Sequence, residues 1–118
     1  MSDKEMIHRI ADHYGLKQIG QAAEELAELI VALHHYERVY DAGLDASTRQ
    51  EYMHVAEEIA DVEIMLEQIK HILNIPEPLI ADWKNYKIRR AFEGLEEVNH
   101  GTKSVDGGPE GSPEAENH

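Results

Sequence analysis

The chain contains no cysteine, which excludes disulfides and thiolate chemistry. Aromatic residues make up only 6% of its 118 positions and prolines number four. No apolar run approaches membrane-spanning length, and Met1-Ser2-Asp3-Lys4-Glu5 lacks the basic-then-apolar pattern of a secretory leader. A cytoplasmic protein without membrane contact is the expectation. Positive charge is scarce as well: the formal net charge is −13, and an acidic surface of that size repels polyanions. A nucleic-acid polymer is therefore a poor partner. A small phosphorylated ligand stays possible, because a metal ion can bridge carboxylates to phosphate oxygens.

What the sequence has is helical periodicity. Ser2 and Glu5 form a capping-box pattern, Ile7, Ile10, Ala11 and Tyr14 follow helical spacing, and Gly15 suits a stop. A second helix is expected from Leu16 to about Tyr40, with Ile19, Ala22, Ala23, Leu26, Leu29, Ile30 and Leu33 as one apolar stripe. Residues 41–45 read as a turn and Ser47 as the cap of a third helix, Thr48 to Leu73. Its stripe is Tyr52, Val55, Ile59, Val62, Met65, Leu66, Ile69 and Leu73. After Asn74-Ile75-Pro76-Glu77-Pro78 a fourth helix runs from about Glu77 to Asn99. The expected architecture is all-α: an antiparallel four-helix bundle-like domain over residues 1–101, followed by a disordered acidic tail, 102–118, rich in Gly, Pro, Ser and acid.

Two acidic signatures stand out on the central helices, Glu25-Leu26-Ala27-Glu28 and Glu58-Ile59-Ala60-Asp61. Residues three apart share a helix face, so each signature projects two carboxylates the same way. Glu28 lies about 12 residues before the end of one helix and Glu58 about 10 after the start of the next, roughly 15 to 18 Å from the turn in both cases. Antiparallel packing then sets all four acids in one layer. On the helical wheel Glu58 falls inside the arc of Val55, Val62, Met65 and Ile69, with Asp61 at its margin. A carboxylate facing a core is costly unless paired or metal-bound. Mg²⁺, or Mn²⁺ in its place, is the cation such an oxygen set suits.

Other polar groups read as surface. Glu24 and Glu57 precede the signatures at different wheel positions, Glu63 and Glu67 lie on the opposite flank of the third helix, and His8, His13, His34, His35 and His71 are scattered. Glu51-Tyr52-Met53-His54 and Glu97-Val98-Asn99-His100 are two Glu-x-x-His motifs of the kind found in di-iron bundles. Against that reading, Glu51 and His54 sit roughly 10 Å along the axis from the Glu58 layer and the second motif lies at a fraying end. Trp83, Tyr36, Tyr40 and Tyr86 are aromatic enough to stack on a base but equally suited to a core or an interface.

The segments Glu24-Glu25-Leu26-Ala27-Glu28-Leu29-Ile30 and Glu57-Glu58-Ile59-Ala60-Asp61-Val62 resemble the Glu-x-x-Glu and Glu-x-x-Asp signatures of the MazG-like all-α nucleoside triphosphate pyrophosphohydrolases. The resemblance covers about residues 10 to 97 and includes Lys87-Ile88-Arg89-Arg90, which is similar to the basic segment that follows the acidic pairs in that family. It implies hydrolysis of a nucleoside triphosphate to monophosphate and pyrophosphate, with Mg²⁺ held by Glu25, Glu28, Glu58 and Asp61. One of these carboxylates would act as base, and Lys87 and Arg90 would bind phosphate. It also implies a homodimer or homotetramer, while the chain departs from bacterial MazG proper in being a single repeat. The alternatives are a non-catalytic helical oligomerisation or interaction module, in which the acids merely solubilise, and the di-iron bundle.

Overall fold

A computed structural model describes residues 1–43 and 45–100, apart from the side chains of 45–48 and 100. The expected tail, 102–118, lies outside the described residues. Four helices account for nearly all of the rest: α1 (Asp3–Tyr14), α2 (Lys17–Asp41), α3 (Asp45–Ile72) and α4 (Glu77–His100). No strand occurs among the described residues, and none of these helices is long and apolar enough to cross a membrane.

The helix boundaries follow local chemistry. Ser2 Oγ accepts from the Glu5 amide at 3.1 Å and satisfies one of the free N–H groups at the start of α1. Gly15, with φ of 67°, ends that helix in a conformation that suits a residue without Cβ, and its N–H donates to the Ala11 carbonyl. Asn74 ends α3 with φ of 55°, the left-handed region that Asn tolerates best among residues bearing a side chain. Pro76 and Pro78 then bracket the first residue of α4, where a missing N–H costs nothing. One expectation fails. α3 begins at Asp45, three residues before Thr48, so Ser47 lies within the helix and does not cap it.

The chain divides into two compact units, Met1–Asn74 and Ile75–His118. In the first, α2 and α3 form the principal contact and α1 lies mainly against α3. The residues of α2 withdrawn from solvent are Gln18, Ala22, Glu25, Leu29, Ala32, Tyr36 and Val39, a spacing of alternating three and four. On α3 the same rhythm runs through Glu51, Val55, Glu58, Val62, Met65, Ile69 and Ile72. This is the 3.5-residue period of a coiled-coil seam, here closed antiparallel within one chain. Its register is set by Gln18 Nε2, which donates to Gln68 Oε1 at 2.8 Å. Counting inwards from that pair brings Glu25 opposite Asp61 and Glu28 opposite Glu58.

The seam is narrower than the sequence pattern suggests. Of the stripe expected on α2 only Ala22 and Leu29 turn inwards, while Ile19, Leu26, Ile30 and Leu33 are 41% to 56% exposed. Those four fall one position after seam residues, as do Tyr52, Ile59 and Leu66 on α3 and Leu73 just past its end, which are also exposed. One step rotates each antiparallel helix by about 100° towards the same side, so the two rows make one apolar face. α1 occupies the other flank of α3.

α1 is held there by polar contacts the sequence does not announce. His8 Nε2 meets Glu67 Oε2 at 2.7 Å, His71 Nε2 meets Asp12 Oδ1 at 2.7 Å, and the two imidazoles stack with centroids 4.1 Å apart. Each helix thus gives one histidine and takes one from its neighbour. Glu67, expected as a solvated group, also pairs with Lys70 at 3.2 Å. Its carboxyl is held below the usual carboxylate range, chiefly by the hydrogen bond from His8 and then by Lys70, against an opposing effect of burial.

The second unit, described by itself, is α4 with a ladder of side chains on one face. Trp83 and Tyr86 meet edge to face at 5.9 Å, Lys87 Nζ lies 5.4 Å from the Trp83 ring centroid, and Arg90 donates to Tyr86 Oη at 3.4 Å. Arg89 turns to another face and donates to Asn85 Oδ1 at 2.9 Å.

Candidate metal centre

Regular helix geometry is all that is needed to gather the acidic side chains. Glu25 occupies a seam position on α2 and Glu58 one on α3, and Asp61 follows Glu58 by three residues, so it returns to the same side of α3 one turn on. Glu25, Glu58 and Asp61 each offer a carboxylate oxygen within 4.8 Å of the others. Glu28, three residues after Glu25, stands at the solvent edge. Its carboxyl is raised above its ordinary value, first by the charge of Glu25 and a hydrogen bond with it, then by burial and by the charges of Glu58 and Asp61. All four acids therefore share one electrostatic neighbourhood.

Glu58 is the least ordinary of them. It is 6% exposed, flanked along the seam by buried Val62 and Met65, and its Oε2 has no hydrogen-bond partner. Glu25 Oε2 is likewise buried and unpartnered, although its Oε1 accepts from Gln21 at 3.0 Å. By contrast the other buried polar residue of α3, Gln68, one position before the seam residue Ile69, is bonded to Gln18 and to Met65 Sδ. A buried carboxylate with an unused oxygen is costly unless a cation completes it. The donor set fits a hard divalent cation: all oxygen, several negative charges, from two rigid helices.

Lys87 and Arg90 lie on α4, exposed, on the face that carries Trp83 and Tyr86. Tyr36 stacks on Tyr40, with centroids 6.3 Å apart. Of the two Glu-x-x-His motifs, the His100 side chain lies outside the described residues. His54 groups with Glu57 and Glu58, not with Glu51, each of the three offering a ligand atom within 4.8 Å of the others. Its Nε2 stands 3.9 Å from Glu58 Oε1, so the axial separation that set it apart from the Glu58 layer is overcome by a side chain leaning one turn along the helix. The signal was present in the sequence as His54-x-x-Glu57-Glu58, three residues at i, i+3 and i+4. No protein-family model matches the chain, and neither a curated protein nor a solved structure shows a match.

Proposed function

We propose that the chain is a Mg²⁺-dependent nucleoside triphosphate pyrophosphohydrolase of the MazG-like all-α type, acting in the cytoplasm, with Mn²⁺ able to replace Mg²⁺. The observation that carries this reading is the gathering of the Glu25, Glu58 and Asp61 carboxylates from α2 and α3, with the buried Oε2 of Glu58 left without a hydrogen-bond partner. A divalent cation bound there would neutralise triphosphate charge and lower the pKa of a water molecule. Glu25, Glu58 and Asp61 are rigidly presented as its ligands, because seam packing fixes the first two and helix geometry the third. One of the four carboxylates would accept the proton of the attacking water. Lys87 and Arg90 supply positive charge for phosphate oxygens, a role assigned from the sequence resemblance.

The apolar face of Ile19, Leu26, Ile30, Leu33, Ile59 and Leu66 supports a homo-oligomer, since contiguous exposed apolar surface of this kind marks an interface. The same face favours the second reading, a non-catalytic oligomerisation module. That reading leaves the buried, unpartnered Oε2 of Glu58 without a purpose. The two are separated by incubating purified protein with a panel of ribo- and deoxyribonucleoside triphosphates and Mg²⁺ and measuring pyrophosphate. Release from at least one nucleotide is expected, reduced at least ~100-fold in Glu58→Gln, because loss of a metal ligand exceeds the effect of losing a supporting group around it. Absence of release from every nucleotide would contradict the proposal.

A further inference from the structure

Positive charge, scarce in the chain as a whole, is concentrated on α4. Of the eleven lysines and arginines in a sequence of formal net charge −13, four (Lys84, Lys87, Arg89 and Arg90) lie between Trp83 and Phe92, and no acid interrupts them. The one tryptophan of the sequence opens that run. Trp83, Tyr86, Lys87 and Arg90 stand at i, i+3, i+4 and i+7 and share one face of the helix, whereas the apolar Ile88, Phe92 and Leu95 are exposed on another. Aromatic rings are thus interleaved with cations, not with aliphatic side chains. We propose that Trp83 is the platform on which the base of a nucleotide stacks while Lys87 and Arg90 hold its phosphate. For the phosphate this rests on the same two residues as the hydrolase reading; the base subsite is additional to it.

The indole is oriented for such a role. Trp83 is half-buried and meets Tyr86 edge to face, with centroids 5.9 Å apart and ring planes at 78°, which fixes its tilt. Over its face lies Lys87 Nζ, 5.4 Å from the ring centroid, at the end of an exposed side chain. That ammonium is exchangeable: a base stacking on the indole displaces it towards the phosphate, where a charge-assisted hydrogen bond replaces the cation–π contact. Arg90, which donates to Tyr86 Oη at 3.4 Å, stands seven residues from Trp83, about 10 Å along the axis. A nucleotide reaches from base to phosphate over a comparable span. The chemistry selected is a planar ring that carries anionic oxygens, and the overall negative charge disfavours a polymer of them.

A single tryptophan gives the test its signal. The full chain is titrated with the adenine, guanine, cytosine and uracil nucleoside monophosphates, which offer no bond for the hydrolase to cleave, with Mg²⁺ and in chelator, while Trp83 fluorescence is recorded. Saturable quenching by at least one of them is expected, and none from ribose phosphate or inorganic phosphate. By calorimetry Trp83→Leu should weaken that nucleotide at least ~10-fold and Trp83→Phe less, because stacking tolerates a change of ring. Fluorescence unmoved by all four nucleotides, or quenched equally by ribose phosphate, overturns the platform, as does tighter binding of an oligonucleotide than of the monophosphate. Pyrophosphate release by a chain whose Trp83 does not respond would remove the platform alone; a quenched Trp83 without any release would support the platform and count against the hydrolase alone.

Discussion

Replacing Glu58 with methionine should stabilise the metal-free protein and abolish its response to Mg²⁺. Glu58 lies in the seam between Val55 and Val62 with an unpartnered oxygen, so its burial opposes folding unless a cation is present. Leaving a buried polar group unsatisfied costs about 1–3 kcal/mol, and more for a charged one. Repulsion from Glu25 and Asp61, whose oxygens lie within 4.8 Å, adds to it. Methionine has nearly the same length and no charge, and it can pack against Val62 and Met65. We therefore expect a gain of about 1–3 kcal/mol in chelator, and a shift of 1 kcal/mol moves the melting temperature of a domain this size by roughly 4–8 °C. Mg²⁺ at about 100 times its Kd should stabilise wild type by about 2.7 kcal/mol and the variant not at all, so the order of stabilities closes or reverses. Thermal and urea denaturation in chelator and in Mg²⁺ read both quantities. A variant less stable than wild type in chelator, or one with an undiminished Mg²⁺ response, would refute the reasoning.

Three further outcomes follow from the packing. Gln18→Ala leaves the buried Gln68 carbonyl without its donor and should cost about 1–3 kcal/mol by urea denaturation, whereas Gln21→Ala, at an exposed pair, should cost less than about 0.5 kcal/mol. Because the Glu67 carboxyl is depressed in the folded state, its contribution is present above the ordinary value of 4.5 and lost as pH falls through the lower folded value. Glu67→Gln should flatten that acid limb of the stability curve, and hydrogen exchange on α1 should quicken there first. If the proposed homo-oligomer forms through this face, wild type should sediment as an oligomer and Ile30→Glu, at a site 56% exposed in the single chain, as a monomer with its helical content intact; a monomeric wild type, or a variant that sediments like an oligomeric wild type, would contradict that role of the face.

How much of this was legible in the residues depends on the range of the interaction. Helix existence, the Ser2 cap, the Gly15 stop and the Asn74 to Pro78 break are local and were readable, as was the inward position of Glu58, which depends only on helical period. The approach of Glu25 to Glu58 and Asp61 was readable too, because an antiparallel hairpin with a short turn ties height to sequence distance, while Glu28 stands at the solvent edge outside that group. The His8, Glu67, His71, Asp12 cluster was not: its members sit 59 residues apart in each pair, and nothing in a single histidine signals a partner on another helix. The stripe of α2 was misjudged for a different reason. Period 3.6 merges Ala22 and Leu29 with Ile19, Leu26, Ile30 and Leu33, and only the partner helix divides the face that is covered from the face that is not. The early start of α3 at Asp45 shows the same limit, since a helix can extend past a plausible cap when the residues before it are compatible with helix.

Soaking crystals in Mn²⁺ and recording anomalous diffraction addresses the central claim directly, because it locates the ion and does not depend on any assumed substrate. A peak bounded by the carboxylates of Glu25, Glu58 and Asp61 is the expected result. Well-ordered density for these side chains, with no anomalous peak among them at saturating Mn²⁺, would contradict it.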